Sequence, residues 1–275
     1  MRIAAVGECT IDRYLDLGIE RVGGISLNFA IHARRAGAEH VALLSCTGTD
    51  AGSHAVTAKL ITADIDTTHL HHLPGATASQ AIRLSAGGER IFPAGGYDPG
   101  VLANFRLSLA DLNFLRSVDV IAVPWFRQIV HLVDPILQMR DLAAMRIADL
   151  LDGADLGPDL DGIAPLLDHF DVLFISGTET TVERLLPHTR RSRTLIVVTH
   201  GAAGSSALLN GERHGEPAEP VPADEQIDST GCGDAFQAGF SVEYFRSRAL
   251  QGALREGARR AAEVIRHLGA TPDEA

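Results

Sequence analysis

Asp228-Ser-Thr-Gly-Cys-Gly-Asp234 lies just ahead of a long helical pattern that begins near Ala235. Two glycines flanking one small residue at a helix start aim several backbone N–H groups at one spot, where the helix dipole also favours negative charge. A carboxylate, Asp234, stands at the edge of that spot. Amides that hold a phosphate beside a carboxylate that takes a proton suit phosphoryl transfer to a hydroxyl. The same residue types also make ordinary helix caps and turns, so the rest of the chain decides between the two readings.

Working outward, Arg2–Gly7 reads as a short apolar strand, and 23–37 as a helix with Leu27, Ala30, Ile31 and Arg34 along one face and Gly37 as its stop. Val41–Thr47 is a second strand, followed by a turn at Gly48-Thr-Asp50-Ala-Gly52 and a helix to about Ile61. Thr77–Ser85 and Arg90–Pro93 read as a hairpin turning at Gly87-Gly88, outside the main layers. Alternation then resumes, with apolar runs at Val118–Pro124, Arg146–Leu151, Val172–Ser176 and Thr194–Thr199. A hairpin follows over Ser205–Leu209 and Gly211, and then two helices over 233–246 and 250–268. Strands apolar on both faces and alternating with helices predict a mostly parallel sheet covered by helices. Ligands bind such sheets beyond the carboxyl ends of the strands. The loops after Gly7, Pro124, Ser176 and Thr199 are therefore expected to share one rim with Asp234.

Composition narrows the function. The 275 residues carry a formal charge of −11 and three cysteines, Cys9, Cys46 and Cys232. No basic stripe suggests nucleic acid, and no apolar run reaches membrane-spanning length. The cysteines show no pairing or metal spacing, and the N-terminus has no signal-peptide pattern, so a cytoplasmic protein is expected. His69-Leu-His71-His72 has no partner cluster in the sequence and is expected to be a solvated loop. Gly7-Glu-Cys-Thr stands where a dinucleotide fingerprint would follow the first strand, which disfavours a dehydrogenase.

Three stretches together resemble the ribokinase-like PfkB family of carbohydrate kinases: Gly23-Gly24 with Asn28, Ala30 and Gly37; Gly48, Asp50 and Gly52; and Asp228–Asp234 followed by Ala235-Phe-Gln-Ala-Gly239. The resemblance implies a three-layer α/β/α sandwich over 1–275, with a mostly parallel sheet and a small β lid from about 12–22 and 76–97. It implies ATP-dependent phosphorylation of a small sugar or sugar derivative. Asp234 would be the base, and the amides of Gly231, Cys232 and Gly233 the anion hole. Asp12, Gly23, Gly24 and Asn28 would hold sugar hydroxyls, and Thr199, Gly201 and Gly204 would line the nucleotide pocket. Glu179 would organise Mg2+ through water. Asp228 and Thr230 match a region that holds a monovalent cation, K+, in some members. The small lid and the 88–96 segment look most similar to fructoselysine-type kinases, and Arg90 is a candidate for an anionic group on the substrate or for ATP phosphates.

The residues themselves leave other readings open. Asn28 can bond its own helix, Asp12 can be a turn residue, Glu179 can be helix N-terminal charge, and Cys232 is read as a passive replacement for the family's alanine. Trp125-Phe126 can stack on a substrate or pack under the lid. Ser176 replaces the family's usual Asn, the Ala148–Asp152 stretch lacks the Asn and Arg that commonly follow its acid, and Arg13–Val22 leaves little room for a first lid strand pair. A monomer and a homodimer through the lid both fit. A nucleoside kinase and a non-catalytic sugar sensor are the alternative functions.

Overall fold

The computed structural model describes residues 1–140 and 142–272; the end of the expected domain, 273–275, lies outside them. The chain opens with β1 (Arg2–Val6), β2 (Thr10–Tyr14) and β3 (Ile19–Gly23), then α1 (Ile25–Arg35), β4 (His40–Thr47), α2 (Ala51–Thr62) and β5 (Leu70–His72). Next come β6 (Ser79–Leu84), β7 (Arg90–Ile91), β8 (Tyr97–Asp98) and α3 (Leu109–Leu115). The second half runs β9 (Val120–Pro124), α4 (Val130–Leu137), β10 (Met145–Asp149), β11 (Val172–Ser176), α5 (Glu179–Leu185) and β12 (Leu195–Thr199). It closes with β13 (Ser205–Leu209), β14 (Glu212–Glu216), α6 (Cys232–Ser247) and α7 (Leu250–Val264).

Nine strands form the main sheet in the order β14-β13-β12-β11-β10-β9-β1-β4-β5. Pairing is parallel from β12 through β5, and antiparallel only at β12–β13 and β13–β14. Alternate residues of each strand feed opposite cores. Ile3 and Ala5 pack under α1, α2, α6 and α7, whereas Ala4 and Val6 pack under α3, α4 and α5. This period-two division of apolar strands between two helical layers is the three-layer sandwich that the alternation predicts. The chain winds from β1 to β4 on one side and from β9 outward on the other, so the crevice at β1 and β9 is the topological switch point. Among the described residues no helix is long and apolar enough to cross a membrane.

A second, smaller sheet has the order β3-β2-β6-β7, with β8 also paired to β6. Here the structure corrects the sequence reading. The segment after β1 does hold a strand pair, because β2 starts at Thr10, earlier than expected, and only Leu15–Gly18 is spent on the turn. Gly23 accordingly ends a strand rather than opening the helix. The histidine run is not a solvated loop either. β5 adds to the sheet edge beside β4, and His69 and His71 both bond the carboxylate of Asp111, which is 1% exposed, at 2.8 and 3.1 Å.

The small sheet is tied to the main body at one buried point. Tyr14, 1% exposed, donates its hydroxyl to Asp228 Oδ2 at 2.6 Å, and the amide of Gly269 donates to the same oxygen at 2.9 Å. Asp228 Oδ1 accepts from the amide of Thr230 at 2.8 Å. The segment after α7 is pinned in turn through its carbonyls: His32 holds Ala270 at 2.8 Å, Lys59 holds Thr271 at 2.7 Å and Arg35 holds Pro272 at 2.6 Å. His32 is neutral in this role, since burial lowers its pKa to about 4. Tyr14→Phe would leave the fully buried Asp228 one donor short. It is expected to cost about 1.5–3 kcal/mol, the range for a hydrogen bond to a charged group, measured by denaturant unfolding; an unchanged midpoint would count against the strut.

Candidate active site

Gly231 caps α6 in the left-handed conformation, φ +83°, and a Cβ there would lie 2.5 Å from the Cβ of Ala270. Only glycine makes this turn without strain while the pinned C-terminal segment presses against it. The turn brings the backbone of Gly231, Cys232 and Gly233 to the helix N-terminus, and a Cβ built on Gly233 meets nothing within 4 Å. The first turn of α6 therefore faces open space, as an anion cradle requires. The Cys232 thiol stays protonated, pushed to about 12 mainly by burial, which fits a passive side chain on a backbone donor.

Asp234, in the same first turn, is 9% exposed and accepts a 2.7 Å hydrogen bond on Oδ2 from Asn28 Nδ2 of α1. Asn28 thus points to Asp234 rather than back to its own helix, and its Oδ1 has no partner. Asp12 lies in β2 rather than in a turn; it is 5% exposed and takes a 2.7 Å bond from Thr10 Oγ1. Gly23, opposite in the small sheet, leaves room for that carboxylate, since a Cβ would sit 2.0 Å from Asp12 Oδ2. Gly24 is the N-cap of α1. Sequence positions 12, 23, 24, 28 and 231–234 therefore meet at the switch point. A small cavity of about 10 Å³ at the ends of β1, β9 and β10 is lined by Ser26, Pro124, Asp149 and Gln237 among others, and by none of those positions.

Burial governs the acidity of this region. It raises both Asp12 and Asp234 to about 7. For Asp234 the bond from Asn28 and the charge of Arg90 oppose the rise, while Asp149 and Glu8 add to it. Asp149, at the end of β10, is raised by burial and held back chiefly by Gln237. Arg90 donates Nη1 to the carbonyl of Ser229 at 2.9 Å, and its amide donates to Ser229 Oγ at 3.0 Å. The hairpin turn of the small sheet is thereby docked on the loop ahead of α6, with the Ser229 amide bonded to the Gly88 carbonyl at 2.9 Å.

Thr199, Gly201 and Gly204 lie along the rim at the end of β12, where His200 bridges the Gly177 carbonyl and Ser206 Oγ. Ser176 Oγ is 3.4 Å from Thr199 Oγ1. Glu179 opens α5, but its carboxylate is paired with Arg213 of β14, which lowers its pKa. Phe126 meets the Tyr97 ring edge-on at 5.8 Å, so it packs under the small sheet. Sequence reading missed Glu8, Tyr14, Tyr97 and Gln237. Glu8 was visible directly after the first strand, but nothing local marked it as part of the site.

A family model described as "pfkB family carbohydrate kinase" matches residues 2–275. Fructoselysine 6-kinase of Escherichia coli (strain K12) is 28% identical over 272 residues, covering 98% of both chains. Fructosamine kinase FrlD of Bacillus subtilis (strain 168) is 24% identical over 275 residues, covering 98% of this chain and 93% of that one. The structure of Arabidopsis thaliana ribokinase complexed with ribose and ATP superposes with a TM-score of 0.78 at 18% identity, over 98% of this chain and 93% of that chain. At that identity the likeness establishes the ribokinase fold.

Asp12 and Asp234 hold their protons in the folded state at pH values where the unfolded chain, near 3.8, has lost them. Stability contributed by these groups is therefore greatest at acid pH and falls as pH rises from about 4 to about 7. Asp12→Asn and Asp234→Asn are each expected to melt higher than wild type at pH 8, by about 2–4 °C for each kcal/mol recovered, with the gap closing toward pH 4. Equal melting curves at pH 8 would refute the strained carboxylates.

Proposed function

Because the chain belongs to the pfkB family of carbohydrate kinases, we propose that it moves the γ-phosphoryl group of ATP to a hydroxyl of a small sugar or sugar derivative, with Asp234 as general base. The observation that carries this reading is the Asn28–Asp234 bond. It orients the carboxylate beside the α6 amides and leaves Oδ1 without a protein donor among the described residues. An acceptor hydroxyl donating to Oδ1 loses its proton there as the oxygen attacks phosphorus. The amides of Gly231, Cys232 and Gly233 receive charge on the phosphoryl oxygens, and each such donor contributes on the order of 2.7–4 kcal/mol in comparable anion holes. Asp12 and Asn28 Oδ1 supply acceptors for neighbouring sugar hydroxyls. Arg90, whose charge reaches Asp234 and Asp149, fits the phosphoryl path better than the sugar.

Thr199, Gly201 and Gly204 are the proposed nucleotide rim. Among the described residues no group of three His, Cys, Asp or Glu side chains is arranged to hold a metal ion; in this proposal Mg2+ would arrive with nucleotide phosphates and water. When bound, Mg2+ neutralises phosphate charge. Glu179 would have to leave Arg213 to take part. A monovalent cation at Asp228 would share its carboxylate with the three protein donors Tyr14, Gly269 and Thr230. A ketose or fructosamine acceptor is favoured over a nucleoside, because Phe126 is engaged by Tyr97 rather than free to stack on a base.

ADP release is the test, across ketoses, fructosamines and nucleosides with Mg-ATP. Asp234→Asn is expected to lower kcat by about 10²–10⁴-fold with sugar binding largely kept, and full activity in that variant would exclude the base. The wild-type kcat/KM is expected to fall as pH drops below about 7, the limb belonging to Asp12 and Asp234 jointly. A profile flat down to pH 5 would contradict this assignment.

A further inference from the structure

Glu8 lies two residues beyond the end of β1 and is 6% exposed. Its Oε1 accepts from the amide of Ile25, the first residue of α1, at 3.3 Å, and its Oε2 has no partner among the described residues. Burial raises the pKa of this carboxyl, and the Tyr97 hydroxyl that faces it opposes the rise, yet among the described residues that hydroxyl also lacks a partner in hydrogen-bond geometry. Asn28 Oδ1, on a side chain 3% exposed, is likewise unpartnered. Glu8 lies within electrostatic reach of Asp12, Asp149 and Asp234. Four carboxyl groups and an amide oxygen thus surround the acceptor site, and Arg90 is the cation that reaches two of them.

Hydroxyl groups of a neutral sugar can donate to these oxygens, but they bring no charge. Several buried carboxylates in one pocket are stable together only when a cation or protons compensate them. Asp234 must lose its proton to act as base, so protonation cannot compensate all four at once. A cationic substrate group supplies both the missing donor and the missing charge.

Resting on the sugar-kinase reading above, we propose that Glu8 binds a protonated amine on the acceptor, making the substrate an amine-bearing sugar of the fructosamine class. Glu8 then sets the preference for that amine over a neutral hydroxyl, while Asp12 and Asn28 read the hydroxyls common to both. The Tyr97 hydroxyl, beside Glu8, is placed to share the ammonium.

The test compares 1-amino-1-deoxy-D-fructose with D-fructose, which differ by an ammonium in place of a hydroxyl. Wild type is expected to prefer the amine, and Glu8→Gln to lower the ratio of the two kcat/KM values by about 10–100-fold. Glutamine keeps an oxygen for the Ile25 amide, and a ratio measured within one variant does not depend on how much of it folds. An unchanged ratio overturns the proposal. If Glu8→Gln is inactive on both sugars, wild-type calorimetry decides: tighter binding of the amine supports the proposal, and equal binding overturns it. Should wild type use both sugars equally, Glu8 loses its role while the kinase reading stands. ADP release with neither sugar, nor with any other in the panel, removes the kinase reading as well.

Discussion

The buried carboxylate of Asp228 ties three distant parts of the chain to one point. Tyr14 brings the small sheet, Gly269 brings the segment after the last helix, and Thr230 brings the loop that leads into α6. None of these contacts touches the expected reaction centre. Together they fix the approach of the chain to Gly231, whose left-handed turn decides where the amides and Asp234 point. Phosphoryl transfer depends mostly on positioning and charge, so a strut that holds the cradle bears directly on the chemistry. The carbonyl contacts from His32, Arg35 and Lys59 extend the same brace from α1 and α2.

The site is assembled against electrostatic resistance. Carboxyl groups from β2, α6, β10 and the loop after β1 crowd one crevice, and burial raises the pKa of each. Stability favours their protonation, whereas the proposed role of Asp234 as base needs it ionised. Functional sites commonly hold such a conflict. It is eased by donors already in place, chiefly Asn28 and Gln237, and by Arg90 arriving on the hairpin of the small sheet. Docking of the small sheet and the charge balance of the site are therefore coupled.

Much of the fold was legible because the strands are apolar on both faces and the helices are punctuated by glycine. The switch-point rim followed from sheet geometry, and Asn28, Asp12 and Asp234 were singled out before their side chains were seen together. What stayed hidden was set by distance along the chain. The strut at Asp228 could not be read from its neighbours because Tyr14 lies 214 residues away. The histidine run looked solvated because its partner, Asp111, is buried about 40 residues downstream. The first hairpin was missed because its strand begins within two residues of the site loop and carries Asp12 itself, so a turn-like segment concealed a strand. Glu8 has no periodic or motif signal at all; only its burial with an unpartnered oxygen reveals it.

The account rests on Asp234 meeting the acceptor oxygen. A crystal structure with a bound sugar and a non-hydrolysable ATP analogue tests it most directly. The account predicts one sugar hydroxyl about 2.6–3.2 Å from Asp234 Oδ1, in line with the terminal phosphorus, with that phosphate resting on the amides of Gly231–Gly233. A ternary complex in which the hydroxyl in line with phosphorus lies more than about 5 Å from Asp234, beyond hydrogen-bond reach, would contradict it.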